Sequence, residues 1–322
     1  MIENIPYIKR LVDINVLLDK KSYFLLGPRQ TGKTFLIRHT LENARVYDLL
    51  DAEIYLALSH NPGLISEELQ PQDRVVVIDE IQRLPELLNE VHRLIETFGI
   101  RFLMTGSSAR KLRRGGINLL GGRARTKYLH PLTYQELHQY FDLSTAMGRG
   151  LIPSIYFSDD PNADLQAYAG SYLQQEILAE GATRNIPAFS RFLRVAALCN
   201  ASIVNFTNVA NDAQVARTTV YEYFEILKDT LLLYELPAWR KSKKRKPIAS
   251  SKYYFFDIGV VSVLQEREFR VGTPEFGQAF ETYLMHELRC FIDYISGGRL
   301  SYWRSTSGFE VHFIIDDHLV KL

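Results

Sequence analysis

Residues 27–34 have the sequence GPRQTGKT and match the pattern GxxxxGK[ST] at every fixed position. The motif follows the apolar stretch SYFLL at 22–26 and precedes an amphipathic segment at about 33–43, so we expect it between a strand and a helix. Such a loop turns backbone N–H groups toward a phosphate, and the positive end of the helix dipole faces the same anion. The alternative is an incidental glycine turn beside a lysine. The strand expected before the motif and the helix expected after it argue against this alternative.

The residues of this phosphate loop have distinct expected roles. Lys33 is expected to neutralise charge on the β- and γ-phosphates of a nucleotide, and Thr34 to ligate Mg²⁺. The backbone of the other loop residues would surround the phosphates. The predicted nucleotide-binding residues are Gly27, Pro28, Arg29, Gln30, Thr31, Gly32, Lys33, Thr34 and Phe35.

A second acidic motif, RVVVIDE at 74–80, has the composition of a buried strand that ends in two carboxylates. We expect Asp79 to hold Mg²⁺ through its water shell and Glu80 to polarise an attacking water. The alternative is an acidic cap on the following helix. A glutamate after the aspartate favours hydrolysis over a nucleotide-holding switch.

Two further residues are candidates for the reaction itself. The strand RFLMTG at 101–106 is followed by Ser107, a small polar residue placed to contact a γ-phosphate or the attacking water. An ordinary strand-to-loop turn explains the serine nearly as well.

Residues 101–130 contain eight Lys or Arg and no Asp or Glu. Within this basic stretch, Arg123 is a candidate arginine finger that reaches the γ-phosphate of a neighbouring subunit. A solvated or DNA-facing basic loop is the alternative.

The first 135 residues alternate short apolar runs with amphipathic stretches, which predicts a parallel sheet with crossover helices. Additional strands are expected at 45–50 and 126–132, and helices at about 52–59 and 85–97. The predicted fold class is therefore α/β.

Composition excludes several other classes of protein. The 322 residues include 46% hydrophobic residues and carry a net charge of +1, so disorder and a globally basic nucleic-acid binder are disfavoured. Cys199 and Cys290 give no disulfide framework or paired zinc-ligand spacing, which suits a reducing compartment. No apolar stretch has the length of a signal or membrane span. We expect a cytoplasmic protein with no membrane partner.

After about residue 150 the pattern becomes mostly helical. From 188 onward it predicts helix, short helix, longer helix and two strands, the order of a winged helix-turn-helix, with KSKKRKP at 241–247 as the wing. A protein-binding module or a solvated hairpin is the alternative, and Glu222 and Glu225 would be unfavourable beside phosphates. The predicted DNA contacts are Arg217, Thr218, Thr219, Lys243, Lys244, Arg245 and Lys246.

Taken together, GPRQTGKT, VVVIDEIQRLPELL, RFLMTGSSARKL and GGRART resemble the prokaryotic AAA-type P-loop ATPases that carry a C-terminal domain of unknown function. The segments TTVYEYFEILKDTLLLYEL and SSKYYFFDIGVVSVL resemble that C-terminal domain. The resemblance implies ATP and Mg²⁺ as ligands. It also implies four parts: an ATPase domain at 1–150, a helical connector or lid at 151–187, a winged helix at 188–260, and a truncated α+β unit similar to PD-(D/E)XK nucleases at 261–322.

Nuclease chemistry is disfavoured within this resemblance. Glu281 or Glu287 could serve as the helix acid, but His312 stands where the family usually shows Asp. The ExK strand is not found, because Leu319 lies two residues before Lys321.

The leading functional hypothesis is an ATPase, working as a homo-oligomer, whose nucleotide state controls engagement of DNA or a protein by its C-terminal half. The alternatives are an ATP-gated DNA-binding regulator with negligible turnover and, with less support, a metal-dependent nuclease.

Overall fold

The computed structural model describes residues 6–108, 110, 120–172, 185–239, 250–316 and 318–320. Contacts between Cα atoms divide the chain into two compact units, Arg10–His130 and a second unit formed by Met1–Lys9 with Pro131–Leu322. The first unit therefore ends some way before the boundary near 150 that the sequence suggested. The physical reason is that the helix at Leu143–Arg149 packs on the helix at Ile258–Gln265, within the second unit.

The first unit is a parallel five-stranded sheet with helices. The strand order is β2-β3-β4-β1-β5, and every neighbouring pair is parallel. Two short 3₁₀ turns lie at Ile81–Arg83 and Leu120–Gly122. The strands are β1 Ser22–Leu26, β2 Arg45–Asp48, β3 Val75–Asp79, β4 Arg101–Gly106 and β5 Ala124–Tyr128, and the helices are α1 Ile14–Lys20, α2 Lys33–Thr40, α3 Ala52–His60, α4 Leu64–Glu68 and α5 Leu87–Phe98.

The central strands of this sheet are buried on both faces, as their continuous apolar sequences predicted. Phe24 in β1, Val77 in β3 and Leu103 in β4 have at most 1% of their surface exposed. Helix α5 buries Leu87, Leu88, Val91 and Leu94, whose spacing of three and four residues forms one apolar face. Because the strands are parallel, β1, β3 and β4 all end at the same edge of the sheet, which is where ligands bind in open α/β sheets.

The second unit contains mostly helices with two small antiparallel sheets, ordered β6-β8-β7 and β11-β10-β9. A 3₁₀ turn lies at His138–Tyr140, and π-helical turns lie at Tyr168–Tyr172 and Ile292–Ser296. Its helices are α6 Tyr134–Leu137, α7 Leu143–Arg149, α8 Pro153–Tyr156, α9 Pro161–Ala167, α10 Ile186–Leu198, α11 Phe206–Ala213, α12 Arg217–Asp229, α13 Ile258–Gln265 and α14 Pro274–Phe291. Its strands are β6 Ser202–Ile203, β7 Leu233–Leu236, β8 Lys252–Phe255, β9 Leu300–Arg304, β10 Glu310–Ile315 and β11 His318–Val320.

The segment from α10 to β8 has the element order that the sequence predicted for a winged helix. An aromatic cluster of Phe189, Phe192, Tyr223 and Phe224 joins α10 to α12, with ring centroids 5.0–5.7 Å apart. The basic segment expected to form the wing, 241–247, lies outside the described residues, so the winged-helix assignment stays a prediction. One hydrophobic cluster contains Ile8 and residues from Leu132 to Tyr283, so the expected connector and winged-helix segments share a core.

In the part of the chain that the structure describes, no helix combines the length and the apolar character needed to cross a membrane.

Candidate functional site

The phosphate loop connects the end of β1 to the start of α2, as the motif predicted. Gly32 has a φ of 91°, and Gln30 has a φ of 60°, so the loop passes twice through the left-handed region. Helix α2 begins at Lys33, which turns its first N–H groups toward the loop. At Gly27 an added Cβ would overlap the backbone oxygen of Leu129, so only glycine fits at this position. The result is a concave backbone suited to an anion.

The ammonium group of Lys33 lies inside this loop. The side chain is 6% exposed, and Nζ donates to the carbonyl oxygens of Gly27 at 2.7 Å and Pro28 at 3.1 Å. Thr31 Oγ1 also donates to the Pro28 carbonyl, at 2.8 Å. The buried positive charge is therefore held at the place where a nucleotide phosphate is expected.

The phosphate loop and the acidic strand meet through Thr34 and Asp79. Thr34 Oγ1 donates to Asp79 Oδ2 at 2.9 Å, and the hydroxyl of Thr105 donates to Asp79 Oδ1. Thr105 Oγ1 also accepts the backbone N–H of Glu80 at 3.0 Å. Thr105 was not among the predicted residues. Its signal in the sequence is a single hydroxyl that follows the apolar run Phe102, Leu103 and Met104 near the end of β4.

Glu80 and Ser107 are brought together by Gln82, a second residue that the sequence analysis missed. Glu80 is buried and has a φ of 60°, a conformation that is strained for a non-glycine residue and is often found at functional sites. Gln82 Nε2 donates to Glu80 Oε2 and lies 3.4 Å from Ser107 Oγ, and Ser107 is 1% exposed. These three side chains form a buried cluster at the ends of β3 and β4.

The residues at this edge fit a magnesium ion with a nucleotide. Thr34 and Asp79 supply a hydroxyl and a carboxylate, the oxygen ligands that Mg²⁺ prefers, and Mg²⁺ commonly takes its other ligands from water and substrate phosphates. Lys33 supplies the positive charge for those phosphates.

The remaining residues of the phosphate loop lie around Lys33 and Thr34. Pro28 and Thr31 are buried, Arg29 is half-buried, and Gln30 is exposed. Phe35 is 37% exposed, and its ring centroid lies 4.3 Å from that of His39. Arg10 braces the loop from behind, because its guanidinium donates to the carbonyl oxygens of Thr31 and His130, both at 2.6 Å. Arg10 was not among the residues predicted from the sequence.

Arg123 lies at the opposite end of the sheet from the phosphate loop. It directly precedes β5, whose first residue, Ala124, pairs with the first residue of β1, whereas the loop follows the last residue of β1. Arg123 and the phosphate loop are therefore separated by the length of a five-residue strand, which is about 16 Å. Arg123 forms an ion pair with Glu96, which lowers the pKa of that carboxyl. Arg123 is therefore too distant to serve the loop of its own chain, so the arginine-finger prediction concerns a neighbouring subunit, and the alternative of a solvated or DNA-facing basic loop stays open.

The DNA-contact candidates that the structure describes lie at the start of α12. Arg217 and Thr218 are exposed, and Thr219 is half-buried. The Arg217 guanidinium donates to Tyr221 OH at 3.0 Å and lies 5.6 Å from the centroid of its ring. Glu225, on the same helix, accepts from Lys228 at 2.8 Å. Lys243, Lys244, Arg245 and Lys246 lie outside the described residues.

The carboxylates considered for nuclease chemistry are engaged with other side chains. Glu281 accepts from Lys252 Nζ at 2.9 Å, and His312 Nδ1 lies 2.9 Å from Glu281 Oε2. Glu287 accepts the backbone N–H of Tyr134 at 2.8 Å, and burial raises its pKa to about 7. Glu281 is therefore part of an ion-pair network, and Glu287 joins helix α14 to the start of helix α6.

The strand order, the loop after β1 and the carboxylate at the end of β3 define the first unit as a P-loop nucleotide-binding fold. Comparison with protein families gives the same class. Residues 19–138 match the model described as "AAA domain", and residues 140–270 match the model "Domain of unknown function (DUF8612)". The chain therefore combines a domain that matches the AAA model with a segment that matches a domain of unknown function, the combination that the resemblance implied.

Two uncharacterized proteins, from Mycobacterium bovis and Mycobacterium tuberculosis, are each 25% identical over 308 residues, which is 91% of this chain and 67% of each relative. Among solved structures, Aeropyrum pernix ORC1 in complex with DNA is 13% identical, with 82% of this chain and 94% of that chain covered and a TM-score of 0.32. A Pyrococcus horikoshii STAND protein is 13% identical, with coverage of 88% and 45% and a TM-score of 0.30. Both TM-scores are low, so the fold assignment rests on the strand order and the matched AAA domain.

Proposed function

We propose that this protein binds Mg-ATP at the phosphate loop and hydrolyses it. The observation that carries the proposal is the hydrogen bond between Thr34 and Asp79, which brings a hydroxyl and a carboxylate together beside the buried ammonium of Lys33. Each of these groups has a defined task in phosphoryl transfer from ATP. The choice of ATP over another nucleoside triphosphate follows the AAA-type class of the domain.

The proposed mechanism assigns each step to a residue of the site. Lys33 and the loop N–H groups bind the β- and γ-phosphates, while Thr34 and Asp79 hold Mg²⁺, which when bound neutralises phosphate charge. Glu80 orients the attacking water and accepts its proton, and Ser107 contacts the γ-phosphate or that water. Thr105 keeps both Asp79 and the backbone of Glu80 in place.

The second unit is proposed to engage DNA or a protein in a way that depends on the bound nucleotide. Arg217 and Thr218 are exposed at the start of α12, where a recognition helix would contact DNA, and the basic segment 243–246 would contact phosphates. The proposal includes a cytoplasmic homo-oligomer in which Arg123 acts on the nucleotide of a neighbouring subunit.

A nucleotide switch with negligible turnover is the second candidate. The hydrogen bond from Gln82 to Glu80 favours it to the extent that it holds the carboxylate away from substrate. Nuclease chemistry has weaker support, because Glu281 is bound to Lys252 and His312.

Calorimetric titration with Mg-ATP tests the binding half of the proposal. Lys33→Ala is expected to weaken binding by about 100-fold, because it removes charge-assisted contacts to phosphate. Lys20→Ala, at an exposed position of α1, is the matched control and is expected to bind like wild type. Equal affinity of wild type and Lys33→Ala would exclude the loop as the nucleotide site.

A further inference from the structure

The side chain of Gln82 is fixed at the centre of the site by its chemistry. It is 4% exposed, and its amide bonds to Glu80 Oε2. A carboxylate accepts hydrogen bonds and does not donate them, so the NH₂ group of the amide must face Glu80. The amide oxygen, Oε1, is thereby directed away from Glu80.

This oxygen is buried and, among the described residues, has no hydrogen-bond donor. A buried acceptor without a partner is destabilising, and such groups are rare enough in folded proteins to require an explanation. A donor supplied by a ligand or by water would remove the penalty.

The position of Oε1 indicates which donor that is. A Cβ added at Gly106, the last residue of β4, would lie 2.5 Å from Oε1, so the oxygen packs directly on this glycine. The carbonyl oxygen of Gly106 in turn accepts the N–H of Gly27, the first residue of the phosphate loop, at 3.1 Å. Oε1 therefore lies against the last residue of β4, whose backbone is hydrogen-bonded to the first residue of the phosphate loop.

We propose that Gln82 positions the attacking water, with Oε1 accepting one of its hydrogen bonds while Nε2 orients Glu80 to accept the other. This inference rests on the proposed ATP hydrolysis. In that reaction the water oxygen bonds to the γ-phosphorus, and the bond from the γ-phosphorus to the β,γ-bridging oxygen breaks. The electron pair of that bond leaves with ADP, and one water proton passes to Glu80. The contribution of Gln82 is alignment of the water and of the base.

The opposite role predicts the opposite change in rate. If Gln82 only restrained Glu80 away from substrate, its removal would free the carboxylate and increase turnover. The direction of the rate change therefore separates a water-positioning residue from a restraint.

The experiment uses the full chain and the variant Gln82→Met, which keeps similar volume but has no amide. We expect kcat for phosphate release to fall by about 10- to 100-fold, the effect of losing one or two hydrogen bonds in the transition state. The calorimetric Kd for Mg-ATP should stay within about twofold of wild type, because the Gln82 amide bonds to Glu80 and lies near Ser107, whereas the phosphates are expected to bind to Lys33 and the backbone of the loop. Gln72→Met, at an exposed position, is the matched control and should keep the wild-type kcat.

The comparison of kcat with the Kd for Mg-ATP supplies a readout that a purely structural role would not produce. A residue that only maintained the fold of the site would weaken binding and turnover together. Loss of the amide from a water-positioning residue should lower kcat and leave Kd near its wild-type value.

Three results would overturn the inference. A Gln82→Met variant with kcat equal to or above wild type would exclude water positioning while leaving the ATPase proposal intact. A variant that no longer binds Mg-ATP would show that Gln82 maintains the fold of the site. Wild type that binds Mg-ATP but releases no phosphate would remove both the inference and the hydrolysis on which it rests.

Discussion

Thr34 Oγ1 lies 2.9 Å from Asp79 Oδ2, so the second residue of α2 is joined to the last residue of β3, 45 positions later in the chain. The other carboxylate oxygen of Asp79 accepts from Thr105. Both oxygens are therefore held by hydroxyl groups, one from helix α2 and one from strand β4. This arrangement fixes the orientation of the carboxylate expected to hold Mg²⁺.

Replacing Thr105 by valine should weaken both the fold and the magnesium site. The substitution keeps the shape of the side chain but removes the hydroxyl that links Asp79 to the backbone N–H of Glu80. We expect the free energy of unfolding to fall by about 1–3 kcal/mol and half-saturation by Mg²⁺ in ATP binding to rise. Urea denaturation and Mg²⁺ titration measure the two effects. Thr97→Val, at an exposed position of α5, is the control, and equal behaviour of the two variants would contradict the role of Thr105.

Asp257 should make the stability of the second unit depend on pH. Its carboxylate accepts the N–H groups of Leu151 at 2.6 Å and Val260 at 3.1 Å, yet burial raises its pKa to about 6 from an ordinary value of 3.8. The folded state thus binds a proton more tightly than the unfolded state. The resulting stabilisation is fully present below pH 3.8 and is lost as pH rises through about 6.

The measurement for Asp257 is the free energy of unfolding of wild type minus that of Asp257→Asn, from urea denaturation at pH values between about 4 and 7. This difference should fall by about 2 kcal/mol as pH rises across that range. Taking the difference cancels the other titrating groups. A difference that stays constant with pH would show that Asp257 does not titrate in this range.

Arg217 should contribute to DNA binding if α12 acts as a recognition helix. Arg217→Ala is expected to weaken binding to duplex DNA by about tenfold and to reduce the slope of log K against log salt by about one, since one phosphate contact is lost. Fluorescence anisotropy with a labelled duplex at several salt concentrations measures both quantities. Arg194→Ala, on α10 and 71% exposed, is the control. Absence of duplex binding by wild type at low salt would favour a protein partner for this unit.

Arg123 should act between subunits. Arg123→Ala is expected to keep ATP binding and lose most of its turnover, because the guanidinium stabilises charge in the transition state. Glu80→Gln subunits carry an intact Arg123, so an equal mixture of the two inactive variants should regain about one quarter of the wild-type rate if each site joins two subunits at random. A mixture no more active than its components would exclude this role.

The sequence was sufficient to predict the phosphate loop, the parallel sheet and the approach of Thr34 to Asp79, because a local motif and strand periodicity encode all three. It was not sufficient to identify Thr105, Gln82 or Arg10. Thr105 reaches Asp79 across a strand pairing, and Arg10 reaches Thr31 and His130, which are 21 and 120 residues away. Such contacts depend on strand order and register, which a single sequence does not specify.

The residue at which the first unit ends could also not be predicted from local sequence patterns. The helix α7, Leu143–Arg149, packs on α13, Ile258–Gln265, so packing partners distant in sequence decide to which unit it belongs. Leu151 donates its N–H to Asp257, 106 residues away.

Steady-state phosphate release from Mg-ATP by wild type and Glu80→Gln, with calorimetric binding measured on both, tests the central claim most directly. Glu80→Gln keeps the size of the side chain but removes the base. We expect Mg²⁺-dependent turnover by wild type, and unchanged ATP binding with a rate at least about 100-fold lower in the variant. Turnover by Glu80→Gln at the wild-type rate would contradict the assignment of this site.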